Sequence, residues 1–157
     1  MGAGLQGCFF DDANFSFSGW GSAYGASVLN AGAEVTTLEA FCARDYAGDS
    51  HFFVRPTDDS KSFAGEVMRF AELVTWCRQL EGEECDLSPD CPIVVAEPVE
   101  IAHEWRLFMV NSKVSTGSHY RSGGRLDVYA DVPPEVNSFA EGLALRWQPA
   151  PVFVLDV

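Results

Sequence analysis

Short apolar runs alternate with amphipathic stretches along this chain, a pattern that predicts mixed α/β or α+β architecture. Strand candidates are Gly7–Phe10, Glu34–Thr36, His51–Arg55, Pro92–Glu97, Trp105–Val110, Val114–Tyr120 and Val152–Asp156, each rich in Val, Ile or Phe. Asn111-Ser112-Lys113 separates two of them, so the pair reads as an antiparallel hairpin with a three-residue connection. Two segments show helical periodicity. In Arg69–Leu80 the residues Phe70, Leu73, Val74, Cys77 and Leu80 form one apolar stripe. In Glu135–Trp147 the residues Val136, Phe139, Ala140, Leu143 and Trp147 do the same, behind Pro133 and Pro134 at the helix start. A weaker helix is expected from Gly21 to Asn30, with Gly25 lowering its propensity. Glu81–Cys91, with Gly82, Pro89 and several carboxylates, reads as a solvated connection.

At 157 residues the chain suits one domain, with room for a small subdomain. Chains of this size bury roughly 70% of their unfolded surface. Apolar residues make up 47%, too many for a disordered chain. The net charge of −13 opposes DNA and anionic membranes, so neither nucleic acid nor membrane is expected as a partner. Cys8, Cys42, Cys77, Cys85 and Cys91 form no CxxC pair and read as reduced, packed thiols. The start lacks the basic region and long apolar run of a signal peptide, and no run approaches the roughly 18 residues a membrane helix needs. The expected compartment is the cytoplasm.

Two stretches carry candidate chemistry. FFVRPTDDSKSFAG delivers Arg55 at a strand end, stops the strand at Pro56, and continues through a polar loop to Lys61 among small residues. Arginine grips oxygens in a bidentate fork, lysine acts as a point charge, and small residues let backbone N–H groups approach a polyphosphate. The Walker spacing is missing. Taken alone, Arg55 and Lys61 also read as ordinary surface cations. The second stretch is IVVAEPVEIAHEWRLFMV, in which one strand ends at Glu97-Pro98 and another begins at Glu104. Arg106 lies inside an otherwise apolar strand, where a guanidinium needs an anionic partner. Either a structural carboxylate or a ligand phosphate fills that need. His51, His103 and His119 alternate with apolar residues and lack metal-ligand spacing, so they read as structural or solvated.

Together FFVRPTDDSKSFAG, VVAEPVEIAHEWRLFMV, SHYR and PVFVLDV resemble, in order and spacing, the ATP-grasp superfamily, in the clade named for two arginines and one lysine. The start CFFDDANFSFSGWGSAYGASVLNA resembles the segment that precedes the grasp core, so residues 1–50 are expected as lead-in and 51–157 as core. The resemblance implies an α+β fold of two lobes, with a largely antiparallel sheet in the C-terminal part. It implies ATP and Mg2+ as cofactors, with Arg55 and the Lys61 loop on the phosphates. Glu97, Pro98 and Val99 would lie against adenine, and Glu104 on the ribose. Arg106 would face phosphate or an acyl phosphate, Arg121 an acidic substrate, and Asp156 would be the first magnesium carboxylate.

The implied activity is that of an ATP-dependent carboxylate–amine or carboxylate–thiol ligase acting through an acyl phosphate on a small-molecule or peptide carboxylate. The family continues past this Asp with a Glu and an Asn that complete the metal site, whereas this sequence stops at Val157. The expectation is therefore a grasp core lacking its last metal-binding strand, with weak ATP binding and little turnover. Two other readings stand beside it. One is a nucleotide-binding protein without catalysis; the other is a structural domain whose Arg55, Arg106 and Arg121 pair with the abundant acids.

Overall fold

A computed structural model describes residues 11–58, 62–81 and 87–157. They divide into two compact units, one of Ser16–Glu100 and one of Ile101–Val157 with the described residues up to Phe15. Each carries its own four-stranded sheet, and every pairing is antiparallel. The α+β fold expected from the sequence is present. The strand candidate Gly7–Phe10 lies outside the described residues.

The first unit contains α1 (Phe17–Tyr24), β1 (Glu34–Thr37), α2 (Leu38–Cys42), β2 (His51–Pro56), β3 (Glu66–Arg69), α3 (Phe70–Leu80) and β4 (Pro92–Ala96). Its strands run in the order β1-β4-β2-β3. Phe70, Leu73, Cys77 and Leu80 of α3 are buried with Leu38, Phe41, Val54, Ile93 and Val95, so the stripe read from the sequence is the face that packs. The start of α3 is fixed by Glu72, which accepts hydrogen bonds from the Arg69 backbone N–H at 3.0 Å and from the Arg69 guanidinium at 2.6 Å.

The weak helix expected over Gly21–Asn30 is displaced. Ser16 caps α1 by accepting from the Gly19 N–H, and the α-helix ends at Gly25, whose φ of +56° suits glycine. Glycine stops this helix instead of merely weakening it.

The second unit contains β5 (His103–Val110), β6 (Lys113–Ser122), β7 (Arg125–Tyr129), α4 (Pro134–Arg146) and β8 (Val152–Asp156), with strand order β7-β6-β5-β8. The connection between β5 and β6 has two residues, not the expected three. Asn111 and Ser112 both take positive φ, 47° and 65°, and Lys113 already pairs with Val110. A two-residue turn of this hand matches the twist of its strands. One face of the sheet lies under α4, with Leu107, Met109, Val136, Ala140, Ala144 and Phe153 as its core. At Gly117 a side chain would come within 2.5 Å of Leu107 and 3.1 Å of the Arg106 carbonyl, so β5 and β6 pack closely only because that residue is glycine.

Candidate functional site

The face of the second sheet turned away from α4 is open. Strand alternation sends Leu107 and Met109 into the core, and the intervening Arg106 and Phe108 outward. Arg106 stands across from Asp156 of β8. Its Nε donates to Asp156 Oδ1 at 2.8 Å and a terminal nitrogen donates to Oδ2 at 2.7 Å, a bidentate fork. The two side chains remain 45% and 44% exposed, so the pair is reachable from solvent. The Asp156 carboxylate raises the Arg106 pKa above its ordinary value.

A bulge enlarges this cluster. The β5–β6 register shifts between Glu104 and Trp105, leaving Tyr120 as the extra residue between His119 and Arg121. Tyr120 and Arg121 consequently both reach Glu104. The Tyr120 hydroxyl donates to the Glu104 carboxylate at 3.1 Å, and an Arg121 nitrogen lies 3.9 Å from it. The Arg106 and Arg121 guanidinia lie 4.8 and 5.3 Å from the centre of the Tyr120 ring. Partial burial, followed by the Asp156 charge and the Glu104 hydrogen bond, pushes the Tyr120 hydroxyl pKa up. Glu104, Arg106, Arg121 and Asp156 are thus brought together, as single-site readings of the sequence could not establish. Tyr120, the aromatic surface they share, is the member such reading missed. Its signal was an aromatic residue directly before an arginine, on a strand where one-residue bulging turns both toward a neighbour.

In the first unit, Arg55 lies on the sheet face opposite the buried Val54. Its Nε donates to the Pro56 carbonyl at 3.1 Å, and its guanidinium lies 5.5 Å from the centre of the Trp20 ring. Glu97 and Val99 follow β4 in an exposed stretch without regular structure. Lys61 lies outside the described residues.

Two of the three histidines touch one another. His119 is fully buried, with Nδ1 2.7 Å from the Asp127 carbonyl and Nε2 3.1 Å from His103 Nδ1. A carbonyl only accepts, so His119 carries its proton on Nδ1 and His103 donates to it. Tyr129 stacks on His119 at 4.4 Å. This chain of contacts holds β7 against β6 on the core side of the sheet.

Magnesium takes oxygen ligands, commonly one or two carboxylates with nucleotide phosphates and water. Among the described residues no group of three or more His, Cys, Asp or Glu could hold an ion. Asp156 offers one exposed carboxylate of the kind magnesium takes, with both oxygens accepting from Arg106. Among the described residues no helix is long and apolar enough to cross a membrane.

Comparison with solved structures finds ATP-grasp proteins. The ATP-grasp ligase PsnB, complexed with a phosphomimetic variant of minimal precursor, Mg and ADP, superposes with a TM-score of 0.57 at 12% identity, over 92% of this chain and 45% of PsnB. The D-cycloserine synthetase DcsG superposes with a TM-score of 0.51 at 14% identity, over 87% of this chain and 50% of DcsG. This chain therefore spans about half the length of these proteins, and at such identities the likeness is one of fold. No curated protein matches the chain. Residues 33–157, which include both sheets and the whole Arg106–Asp156 cluster, match the model of an ATP-grasp domain family, the second family of the clade named for two arginines and one lysine, and the chain belongs to that family.

Proposed function

We propose that this domain binds ATP with magnesium and serves as the nucleotide-binding part of a cytoplasmic ATP-dependent ligase that joins a carboxylate to an amine or thiol. The observation that carries this reading is the Arg106–Asp156 pair on the open sheet face. An exposed ion pair contributes only about 0–1 kcal/mol to stability, so a bidentate fork held on two adjacent strands and left open to solvent is poorly explained by folding alone. The same two groups are the cation and the carboxylate that a magnesium–phosphate ligand needs.

In this reading Arg106 would hold a phosphate oxygen, and Asp156 would be the residue that holds nucleotide-borne magnesium. That ion, when bound, supplies charge neutralisation and orientation of the phosphates. Arg55 and Lys61 act on phosphates, Glu97 and Val99 against adenine, and Glu104 on the ribose. Arg121 takes the acidic substrate, as its place beside Glu104 and Tyr120 allows. The reaction forms a bond from a substrate carboxylate oxygen to the γ-phosphorus as the bond to the β-phosphate oxygen breaks and ADP leaves. The amine or thiol then bonds to the acyl carbon, phosphate departs, and the nucleophile's proton passes to solvent. Catalysis rests on positioned cations and oriented reactants. PsnB has been solved with precursor peptide and AMPPNP, which makes a peptide carboxylate a reasonable substrate class here as well.

One observation favours a second reading. Arg106 and Arg121 already face carboxylates, as a purely structural domain would also arrange. Calorimetry with Mg-ATP separates the two. The ligase reading expects saturable binding that weakens in Arg55→Ala, Arg106→Ala and Asp156→Ala. Absence of binding by protein shown to be folded supports the structural reading.

A further inference from the structure

Outside that cluster, a pocket of about 470 Å³ opens between β3 and α3, in the unit of residues 16–100. Ligand pockets typically occupy about 300–1,000 Å³. Glu66 and Met68 line it from β3, where they stand opposite Val54 and Phe52 on the helix-covered face of the sheet. Arg55 lies on the other face of the sheet, while Phe63 follows the loop that carries Lys61. Phe63 and Trp76 meet edge to face at 5.1 Å and, with Met68, form an apolar floor. Glu66 and Glu72 stand at its margin with Thr75 and Gln79. Glu72 already binds Arg69, whereas Glu66 is exposed and none of the lining residues is a cation.

Aromatic faces beside a carboxylate recognise an ammonium or guanidinium group carried on an apolar stem. The rings attract the cation, the floor covers the methylenes, and the carboxylate takes the charge. The chain's net charge of −13 adds long-range attraction for such a group. The setting also indicates what carries it. β3 ends its sheet, and among the described residues no strand pairs with its outer edge. An extended peptide that pairs along such an edge places alternate side chains beside alternate strand residues. Glu66 and Met68 are alternate residues of β3.

We propose that this pocket receives a lysine or arginine side chain of an extended peptide that adds to the outer edge of β3. The test uses the full chain and a short blocked peptide of alternating valine and threonine with one central arginine, followed by NMR. Saturable shifts are expected at the Val67 amide and at the Trp76 indole N–H, the Arg69 N–H being held already by Glu72. A peptide with central glutamate should bind at least about tenfold more weakly, and Glu66→Gln should weaken the arginine peptide about 2–5-fold. Trp76→Leu, checked by thermal unfolding, should weaken it further; the conservative Glu66→Gln keeps the test valid if Trp76→Leu does not fold. Equal binding of the two peptides, no effect of Glu66→Gln, or no shifts with the folded chain overturns the proposal. Blocked free arginine binding as tightly as the peptide, without β3 shifts, overturns the strand-addition part and assigns the pocket to small amines.

Discussion

Arg106 and Asp156 face each other from adjacent antiparallel strands, joined by two hydrogen bonds of 2.8 and 2.7 Å while nearly half of each side chain stays exposed. Folding and ligand binding weigh such a pair very differently. Because it is solvated, deleting either partner should change the unfolding free energy by less than about 1 kcal/mol. A charge-assisted hydrogen bond to phosphate is worth more, so Arg106→Ala should lower Mg-ATP affinity about tenfold or further. The exchange Arg106→Asp with Asp156→Arg is the sharper test. It should restore most of the stability lost in either single variant and none of the nucleotide affinity, as read by thermal unfolding beside calorimetry. Recovery of both would mean that the pair acts as a generic ion pair.

The strand that carries Arg106 depends on close packing behind it. A side chain at position 117 would lie 2.5 Å from Leu107, 3.1 Å from the Arg106 carbonyl and 3.1 Å from Val132. Leu107 can yield, but the carbonyl belongs to a paired strand. Gly117→Ala should therefore destabilise the chain by about 1–3 kcal/mol, the usual penalty of overpacking. Denaturant unfolding measures it, and a neutral substitution would show that β5 and β6 separate readily.

Periodicity identified what packing enforces. The stripe Phe70, Leu73, Cys77 and Leu80 is the buried face of α3, and the apolar run at Ile93–Val95 is the interior of β4. Two of the strands it missed lack that cause. β7 exposes all five residues, among them Leu126 at 77%, so its sequence carries no inward face to read. β3 has four residues, too few for alternation to stand out. Glu104, Arg106, Arg121 and Asp156 could each be singled out from the family motifs. Their juxtaposition could not, because it depends on the β5–β8 register and on a one-residue bulge at Tyr120, and neither leaves a pattern within a single strand. Arg106 shows the gap plainly. The sequence demanded an anion for it without choosing between a side chain and a phosphate, and only pairing across to Asp156 supplies the first.

The described cysteines of the first unit should be chemically quiet. Cys42, Cys77 and Cys91 are free thiols packed in or against the same core. Burial, before any charge, raises the pKa of each and pushes Cys42 up to about 12. The thiolate is the reactive form, so its fraction at pH 8 is reduced by roughly a thousandfold at Cys42 relative to an ordinary thiol near 8.5. Iodoacetamide at pH 8 followed by peptide mapping should leave these three positions unlabelled in the folded chain and label all three in denaturant. Rapid labelling of Cys42 without denaturant would show that the α2–α3 packing opens.

The start of β6 is tied to α4 by one carboxylate, and that tie should make stability depend on pH in a definite direction. Glu141 accepts from Lys113 Nζ at 2.7 Å and from the Val114 backbone N–H at 3.2 Å. The Lys113 hydrogen bond, then that of Val114, holds the Glu141 pKa below its ordinary value. A carboxylate whose pKa is depressed by folding contributes stability that is fully present above its unfolded pKa, about 4.3, and disappears as pH falls through the lowered folded value. The contribution is small because Lys113 is largely exposed, with 69% of its side chain accessible. Thermal unfolding of the wild type and Glu141→Gln, followed from pH 7 to pH 2.5, should show the variant melting lower at neutral pH by no more than a few degrees. The two should converge only as pH falls through the lowered folded pKa, below which the wild-type carboxyl is itself neutral. Lys113→Met should narrow that gap, since only the Val114 hydrogen bond then distinguishes the ionised form. A gap that persists unchanged to pH 2.5 would show that Glu141 acts through packing against the turn and not through its charge.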